Sequence, residues 1–508
     1  MIVLEGTLNM NALGVPGVYT TIRKPRARSL NGVPTNILGV VGSASWGPVN
    51  VPVTCDMAGY LATFGPVMNR QFDAGTVCAV AAAQAAESFI VVRAAGTGAA
   101  AATCAVAATT GPSGATLTGK YVGSLGNDLT IRFTAGSKAN TVRAVLNSGK
   151  LSKTEEFDNL SNVVADFWPA LIAAINTGAG VRAASELVIA SAGGTPTAIP
   201  ALTATAQPFT GGADGTTAAA DLIGTDGASR TGMYQLRDTA AAVAVLADID
   251  GSALANIEAF GREEGTVMVV AGPAGQTIVQ AKTAKASIDS AWVHYLLGDH
   301  IYWRDLTNGV TRLVNPSAFD AGKLVGMSPE QSALNKPLAG ILGSQKSGLA
   351  QGSASQYSRA EKADMFRNGI DVIAFPSPGG NYWSVAGGVN TSSNPDTNGD
   401  NYARVMDYLA STVDSGMGSE IGGVINADTF RNVTTRLDTF LGNCVSAGIL
   451  SNDEDGNPPY VVLCDKSNNP QSRTSLGYLQ VDVQVRFQSI TRYLTINVEG
   501  GQTVVLVR

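Results

Sequence analysis

The sequence predicts an α+β (mixed α/β), multidomain protein, in which central sheet-and-helix domains carry an inserted β-rich domain and extended terminal arms. Its 508 residues exceed one domain, since a domain averages about 150 residues. Short apolar runs such as Thr266–Val270 are typical of strands buried on both faces, and they alternate with helical runs. Residues 95–120 are mostly Ala, Gly and Thr, a change of composition that indicates a separate inserted domain.

Composition and turn signals divide the chain into six predicted parts. In chain order they are an N-terminal arm (1–30), a discontinuous middle α/β domain (31–95 and 215–343), an inserted domain (96–214), a polar linker (344–358), a C-terminal domain (359–492) and a C-terminal arm (493–508).

The first part of the chain predicts an arm followed by strand, helix and strand. Pro16-Gly17 is a turn signal, and the extended segment Val18–Ile22 follows it. Ile37–Val41 predicts a strand, and Asp73–Ser88 predicts a helix with Asp73 as its N-cap. Phe89–Val92 is a continuous apolar run, which predicts a strand buried on both faces.

The insert and the segment after it carry their own signals. Leu129–Phe133 predicts a strand, and residues 163–176 predict a helix. The turn cluster Gly211–Gly215 closes the insert. Thr307–Gly309 separates two apolar-aromatic runs, which predicts a β-hairpin.

The last third adds two helices and three strands. The helices are predicted near 401–414 and 429–447, the second between an N-cap at Asp428 and a stop at Gly448. The strands are predicted at Asp371–Phe375, Tyr460–Leu463 and Val481–Gln488. The last of these alternates apolar and polar residues, as a half-buried strand does.

Both ends of the chain carry apolar strands that lie outside any predicted core. The residues that would form them are Val18, Tyr19, Thr20 and Ile22 at one end, and Leu494, Ile496, Val498, Val504 and Leu506 at the other. An isolated strand is not stable in water, and an unpaired apolar edge promotes aggregation. The ends are therefore either disordered or paired with a sheet on another subunit.

The charge content limits the kinds of partner. Charged residues make up 15% of the chain, against about 25% in ordinary domains, and the net charge is −6. This favours a surface that other subunits cover, although an Ala- and Gly-rich composition explains it equally well. The short basic stretch Arg23–Arg28 lies in the arm, and no basic run stands out as a nucleic-acid footprint. No apolar stretch is long enough for a membrane span, and the N-terminus does not resemble a secretory signal. We therefore expect cytosolic synthesis and neither nucleic-acid binding nor membrane insertion.

Residues that could support catalysis or metal binding are few. The five cysteines form no CxxC pair, which favours reduced, buried thiols; the odd number leaves an intermolecular disulfide open. The chain has 2 histidines, His294 and His300, and we expect both to be structural.

Three acidic or phosphate-binding patterns are incomplete. Gly114–Tyr121 resembles a phosphate-binding loop but has Tyr121 where Ser or Thr is needed. Glu155 and Glu156 are adjacent and are expected on the solvated surface. Asp396–Asp400 resembles the start of a calcium loop but lacks the glutamate at the twelfth position. We therefore predict no catalytic, cofactor-binding or metal-binding residues.

Several segments, in order, resemble contractile phage tail sheath proteins. They are Pro16–Tyr19, Gly32–Thr35, Gly39–Gly42, Trp46–Pro52, Phe64-Gly65, Gly123–Leu129, Gly211–Gly215, Val314–Ser317, Lys336–Leu338, Asn368–Ile373 and the helix-strand unit at 428–466. Each motif alone is weak, whereas their order and spacing are specific, and together they cover nearly the whole chain.

The resemblance implies a structural subunit of a virion tail, assembled in the host cytoplasm. Such subunits form hexameric rings that stack helically around a tail tube protein, with baseplate and tail terminator proteins at the ends. The C-terminal domain would face the tube, and the insert would protrude outward. The terminal arms would join sheets in neighbouring subunits, and contraction would drive the tube through the host envelope. Arg431 and Arg436, on the exposed side of the helix at 429–447, are candidates for tube contact.

Other functions remain open at the level of sequence. The same resemblance fits the sheath of a tail-like particle or contractile injection system. A capsid or surface-layer subunit would also self-assemble. A nucleotide-binding α/β enzyme would depend on Lys120, in the incomplete phosphate loop.

Overall fold

The computed structural model describes residues 2–3, 20–21, 30–178, 182–203, 205–349, 357–376 and 380–498. Contacts divide the chain into two units. We call the unit of Pro34–Tyr408 and the residues from Ser489 onward the body, and the unit that includes Leu409–Gln488 the C-terminal unit.

The structure is mixed α+β, as predicted. Its strands are β1 Ile2–Val3, β2 Thr20–Thr21, β3 Ile37–Gly42, β4 Pro52–Cys55, β5 Ser88–Arg93, β6 Thr103–Val106, β7 Ala115–Gly119, β8 Leu129–Ala135, β9 Thr141–Ser148, β10 Lys153–Ser161, β11 Val188–Ala192, β12 Gln207–Pro208, β13 Val243–Leu246, β14 Val267–Ala271, β15 Val293–Leu296, β16 Ile301–Asp305, β17 Val310–Val314, β18 Ile341–Ser344, β19 Ile373–Ala374, β20 Ser384–Val385, β21 Tyr460–Leu463 and β22 Asp482–Val485. Its α-helices are α1 Met57–Phe64, α2 Ala74–Ala82, α3 Val164–Thr177, α4 Ala219–Ile223, α5 Leu254–Glu264, α6 Ile278–Lys285, α7 Ser317–Val325, α8 Arg359–Arg367, α9 Tyr402–Met417, α10 Ala427–Ser446 and α11 Gln471–Thr474.

A six-stranded sheet forms the centre of the body, in the order β15-β14-β13-β3-β5-β4. Its strands are parallel except β4, which runs antiparallel to β5. All five residues of β14 are buried, because helices pack on both faces of a parallel sheet. The strands predicted at 37–41, 89–92 and 266–270 are confirmed to within one residue at each end.

Helix α2 begins where the sequence predicts and ends earlier. The Asp73 side chain accepts a hydrogen bond from the backbone N–H of Thr76, which confirms Asp73 as the N-cap. The prediction that the helix continues to Ser88 is wrong, because it ends at Ala82 and Ser88 already belongs to β5. Ala85 has φ 76°, in the left-handed region that a helix cannot contain, and an alanine run gives no side-chain signal for that turn.

The predicted insert contains two antiparallel sheets, ordered β10-β9-β8-β12 and β11-β7-β6, with α3 packed against them. Phe133, Phe167 and Trp168 belong to its own apolar core. Bridges between Thr97 and Thr216 and between Ala100 and Ala213 hold the two chain crossings together. They lie near the predicted ends of the insert; the domain boundaries themselves remain a prediction.

A carboxylate fixes this junction. Asp214 accepts hydrogen bonds from the Ser124 N–H and Oγ, both at 2.7 Å, and forms an ion pair with Arg70. Burial alone would raise the pKa of Asp214, but these partners hold the pKa below its ordinary value. The insert is therefore tied to the body by hydrogen bonds as well as by its two connecting segments.

The hairpin predicted at Thr307–Gly309 is confirmed, since β16 and β17 pair antiparallel across it. The division between the units, in contrast, falls inside α9, later than the predicted start of the C-terminal domain at residue 359. The reason is that residues 359–408 contact the body: Asp371 bridges to Leu296 at the end of β15.

The C-terminal unit contains the long helix α10. The prediction that Asp428 caps it is wrong, because the Asn426 side chain accepts from the Thr429 N–H at 2.9 Å and Asp428 lies in the first turn. Asn and Asp are equally good N-caps, so the sequence does not distinguish two candidates so close together. Gly448, with φ 79°, follows the helix as predicted.

We expect Asp214→Ala to destabilise the body by about 1–3 kcal/mol, because it leaves the Arg70 guanidinium and the Ser124 N–H without their partner. Urea unfolding measures the change. Asp238→Ala is the matched control, since Asp238 is 85% exposed and pairs with Arg230 at the surface. Equal losses for the two variants would contradict the role of Asp214.

Candidate subunit interface

Within the described residues, β21 and β22 form an antiparallel sheet of two strands in the C-terminal unit. Tyr460 and Val462 face α10, where the Tyr460 hydroxyl donates to the Asp438 carbonyl oxygen at 3.2 Å. On the opposite face, Val461 is 61% exposed and Leu463 is also exposed. This small sheet therefore has one covered face and one uncovered face, on which Val461 and Leu463 lie opposite the polar residues Gln484 and Asp482. No other described strand pairs with its outer edges.

Further large apolar side chains are exposed in the same unit: Ile421, Val424, Leu476 and Tyr478. A soluble monomer seldom exposes so many large apolar groups in one small unit, and such surfaces usually contact another molecule. They make the C-terminal unit a candidate interface.

The described part of the C-terminal arm is also exposed. Leu494 is 78% exposed and Val498 is 88% exposed, and Ile496 between them is exposed as well. Just before the arm, Arg492 is fixed to the body, since its guanidinium donates to Asn398 Oδ1 at 2.7 Å and to the Gly388 carbonyl oxygen at 2.8 Å. The alternating apolar residues of the arm thus have no core of their own from residue 494 to residue 498.

The N-terminal arm is described only at its two short strands. Thr20 lies in β2, which pairs in parallel with β1 of the same chain, with Thr20 opposite Ile2. The remaining predicted arm residues lie outside the described part of the chain: Val18, Tyr19, Ile22, Val504 and Leu506. Their contact role remains a prediction.

The two arginines predicted to contact the tube differ in their surroundings. Arg431 is exposed and pairs with Asp428 one turn away. Arg436 is only 14% exposed, donates to the Gly416 carbonyl oxygen at 2.8 Å and forms an ion pair with Glu420. The prediction that Arg436 lies on the exposed side of the helix is wrong, because these contacts keep its guanidinium within the unit. Tube contact is untested for both.

Comparison with known proteins shows which solved structures share this fold. No protein-family model matches the chain, and no curated protein matches its sequence. Solved structures do match. A sheath tail protein from Listeria innocua is 13% identical, with a TM-score of 0.60, over 87% of this chain and 90% of that one. A sheath tail protein from Desulfitobacterium hafniense is 16% identical, with a TM-score of 0.57, over 88% of this chain and 94% of that one.

The contracted sheath of an extracellular contractile injection system is 10% identical, with a TM-score of 0.55, and the match covers 97% of this chain and 99% of that one. The chain has the tail sheath fold. The coverage is nearly complete in both directions, so the likeness includes both units of the chain.

Polar patterns noted in the sequence have structural roles in this tail sheath fold. Residues 115–119 of the incomplete phosphate loop form β7 rather than a loop before a helix. Asp400 is buried and accepts hydrogen bonds from the Ser332 hydroxyl and the Ala333 N–H, so it does not begin a calcium loop. The expectation that Glu155 is solvated is wrong: it is buried, and it accepts from the Ser185 hydroxyl and the Glu186 N–H.

The described residues also bear on metal binding and on membrane insertion. Across them, no group of three or more His, Cys, Asp or Glu side chains is placed to hold a metal ion. Nor does any described helix combine the length and apolar character that crossing a membrane requires.

One buried cluster was not predicted from the sequence. His294, on β15, lies 2.6 Å through Nδ1 from Asp320 Oδ2 on α7 and 3.2 Å through Nε2 from Asp371 Oδ2. All three side chains are buried. The three residues are far apart in sequence, so only the packing of β15, α7 and the segment before β19 brings them together.

The charge of this cluster follows from its geometry. Burial alone would lower the pKa of His294, but the carboxylates of Asp320 and Asp371 outweigh it and hold the pKa well above its ordinary value. The imidazolium therefore joins two carboxylates from separate segments. In this tail sheath fold the cluster is a structural clamp within the body.

We expect the stability of the body to fall as the pH rises above about 6.5, because the folded protein keeps a proton on His294 that the unfolded chain loses. The contribution is complete below the unfolded pKa and disappears as the pH rises through the folded pKa. The expected slope is about 1.4 kcal/mol per pH unit. Urea unfolding between pH 6 and pH 9 measures it. His294→Gln should be less stable at pH 6 and lose this slope; an unchanged slope would contradict the clamp.

Proposed function

We propose that this protein is the structural subunit of a contractile tail sheath. It polymerises as stacked hexameric rings around a tail tube, and contraction drives the tube through the envelope of the host cell. The proposal rests on the tail sheath fold together with the incomplete sheet of the C-terminal unit. It requires no catalytic residue, because the work comes from the difference in interface free energy between two arrangements of the same subunits.

Two observations carry the proposal together: the uncovered sheet of β21 and β22, and the exposed, alternating C-terminal arm. A strand added to an open edge forms backbone hydrogen bonds, each worth about 1 kcal/mol net. Each buried Leu, Ile or Val side chain adds about 1.5–3 kcal/mol before the ordering entropy is subtracted. An arm from a neighbouring subunit would thus complete a sheet that the described residues leave open.

The proposed partners follow from this role. They are other copies of the chain, the tail tube protein, and the baseplate and tail terminator proteins at the two ends of the sheath. Arg431 remains the more accessible candidate for tube contact. The protein would belong to the assembled particle and be assembled in the host cytoplasm, without direct contact with nucleic acid or insertion into a membrane.

The sheath of a contractile injection system is the second candidate. The specific support is the match to the contracted injection-system sheath over nearly the whole length of both chains. The two functions share the same subunit mechanics and differ in the rest of the particle. Electron microscopy of purified particles separates them, since a phage carries a DNA-filled head and an injection system does not.

We expect deletion of residues 494–508 to leave a folded subunit that does not polymerise, because the deleted residues begin after the anchor at Arg492. Deletion of residues 1–22 is expected to do the same. Sedimentation with the tube protein measures polymer, and circular dichroism confirms the fold. Full-length tubes from either truncation would contradict arm exchange.

We expect Val461→Lys to reduce polymerisation without changing subunit stability by more than about 0.5 kcal/mol, because Val461 is exposed in the subunit and would be covered in the sheath. Val279→Lys is the matched control, since Val279 is a 73% exposed valine on α6 of the body. If both variants polymerise like the unmodified protein, the uncovered face of the sheet is not an interface.

A further inference from the structure

A pocket of about 600 Å³ in the body has a strongly cationic lining. Four of its lining side chains are basic, namely Arg359, Lys362, Arg367 and Arg492, and among the described lining residues none is acidic. Its apolar floor includes Leu334, Phe366 and Val389. The net charge of the chain is −6, so this concentration of positive charge is unlike the rest of the molecule.

Helix α8 supplies three of the four charges. Its first residue is Arg359 and its last is Arg367, with Lys362 one turn after the start. The two acidic residues of α8 are paired elsewhere, Glu361 with Lys346 and Asp364 with Lys282. The helix thus presents its basic residues to the pocket while its carboxylates are neutralised outside it.

The four basic groups are not equally satisfied. Lys362 Nζ donates to the Phe375 carbonyl oxygen at 2.8 Å, and Arg492 donates to Asn398 and Gly388. Arg359 and Arg367 are exposed, and neither forms a hydrogen bond or ion pair with any described residue. Two guanidinium groups, each able to bind a carboxylate through two parallel hydrogen bonds, are therefore free at one pocket.

A rigid acidic turn lies in the C-terminal unit. The Asp453 carboxylate accepts hydrogen bonds from the backbone N–H groups of Asp455 and Asn457, at 3.1 and 2.7 Å. The Gly456 N–H also donates to the Asp453 carbonyl oxygen at 3.0 Å. These bonds close the turn and leave the Glu454 and Asp455 side chains exposed, with no hydrogen bond or ion pair to the rest of the described chain.

We propose that the acidic turn of one subunit docks in the cationic pocket of another, with Glu454 and Asp455 bound by Arg359 and Arg367. This rests on the proposed function, because polymerisation brings the two surfaces together. The charges are complementary, and the number of free carboxylates equals the number of free guanidinium groups. The occupant is therefore a second copy of this chain.

Preorganisation supports this choice of occupant. The turn is already closed by its own hydrogen bonds, so little conformational entropy is lost when it docks. The pocket holds Arg492, which anchors the start of the C-terminal arm, so an occupied pocket would also place a neighbouring subunit beside the point where the arm leaves the body. Docking would select the correct neighbour through charge, and arm exchange would hold it.

A charge-reversal experiment tests the docking. We expect Arg359→Glu with Arg367→Glu to raise the critical concentration for polymerisation on the order of tenfold. Glu454→Arg with Asp455→Arg should do the same. The four changes combined should restore polymerisation, because the pairs are then reversed. Sedimentation with the tube protein measures the critical concentration, and urea unfolding shows whether each variant folds.

The control is Arg132→Glu with Arg304→Glu, which changes the net charge equally at exposed arginines outside the pocket. It should polymerise normally. If a reversal variant fails to fold, Arg359→Gln with Arg367→Gln replaces it, and we expect a smaller rise in the critical concentration together with a weaker dependence on salt.

The outcomes separate this inference from the proposed function. If the unmodified protein forms tubes but the combined variant is no better than its parents, or if the reversals have no effect, the docking is wrong and the sheath function stands. If the unmodified protein forms no tubes with the tube protein, the proposed function fails, and the docking that rests on it fails as well.

Discussion

A two-stranded sheet with an uncovered face and open edges is the feature on which the proposed role of this chain depends. Two strands bury too little surface to be stable alone in water, so β21 and β22 rely on α10 for one face. The other face and the outer edges are open among the described residues. An open edge is an aggregation hazard in a monomer and a binding site for a neighbour's strand in a polymer, and the proposed function uses it in the second way.

The body, in contrast to this open sheet, has a closed and well-packed core. Its parallel sheet is buried on both faces, and buried charges join separate segments across it. Arg404 donates to the carbonyl oxygens of Met327 and Gln331, and His294 lies between Asp320 and Asp371. Removing one partner of such a group would leave an uncompensated charge, which favours one well-defined arrangement. In the proposed sheath, such a core would keep the body rigid, while the exposed arm and the open sheet would supply the exchangeable contacts.

The positions of the few charged residues are informative about how the surface of the chain is used. Many ionised groups on the body pair within it, as Arg237 does with Glu263 and Asp226. Other charged groups form no ion pair with a described residue, and they include Arg359 and Arg367 at the cationic pocket and Glu454 and Asp455 on the acidic turn. An Ala- and Gly-rich composition explains how few charges there are, but it does not explain why the described lining of that pocket contains no acidic residue.

Elements with strong local signals are predictable from the amino-acid sequence. Continuous apolar runs fixed the central strands, Asp73 fixed the start of α2, and Thr307–Gly309 fixed a hairpin, because each depends on neighbours within a few residues. The sequence-based prediction was wrong for the N-cap of α10, where Asn426 and Asp428 are equally suitable caps. It was also wrong for the end of α2, because the alanine run around Ala85 contains no residue that signals a turn.

Contacts between residues distant in sequence are visible only in the folded chain. His294 joins Asp371, Asp371 joins the body rather than the predicted C-terminal domain, and Arg492 joins the helix α8 to form one pocket. These contacts depend on packing between segments tens to hundreds of residues apart, which no local pattern encodes. The apolar strands at the chain ends left disorder and pairing with another subunit as alternatives, and the fold shows an open two-stranded sheet among the described residues.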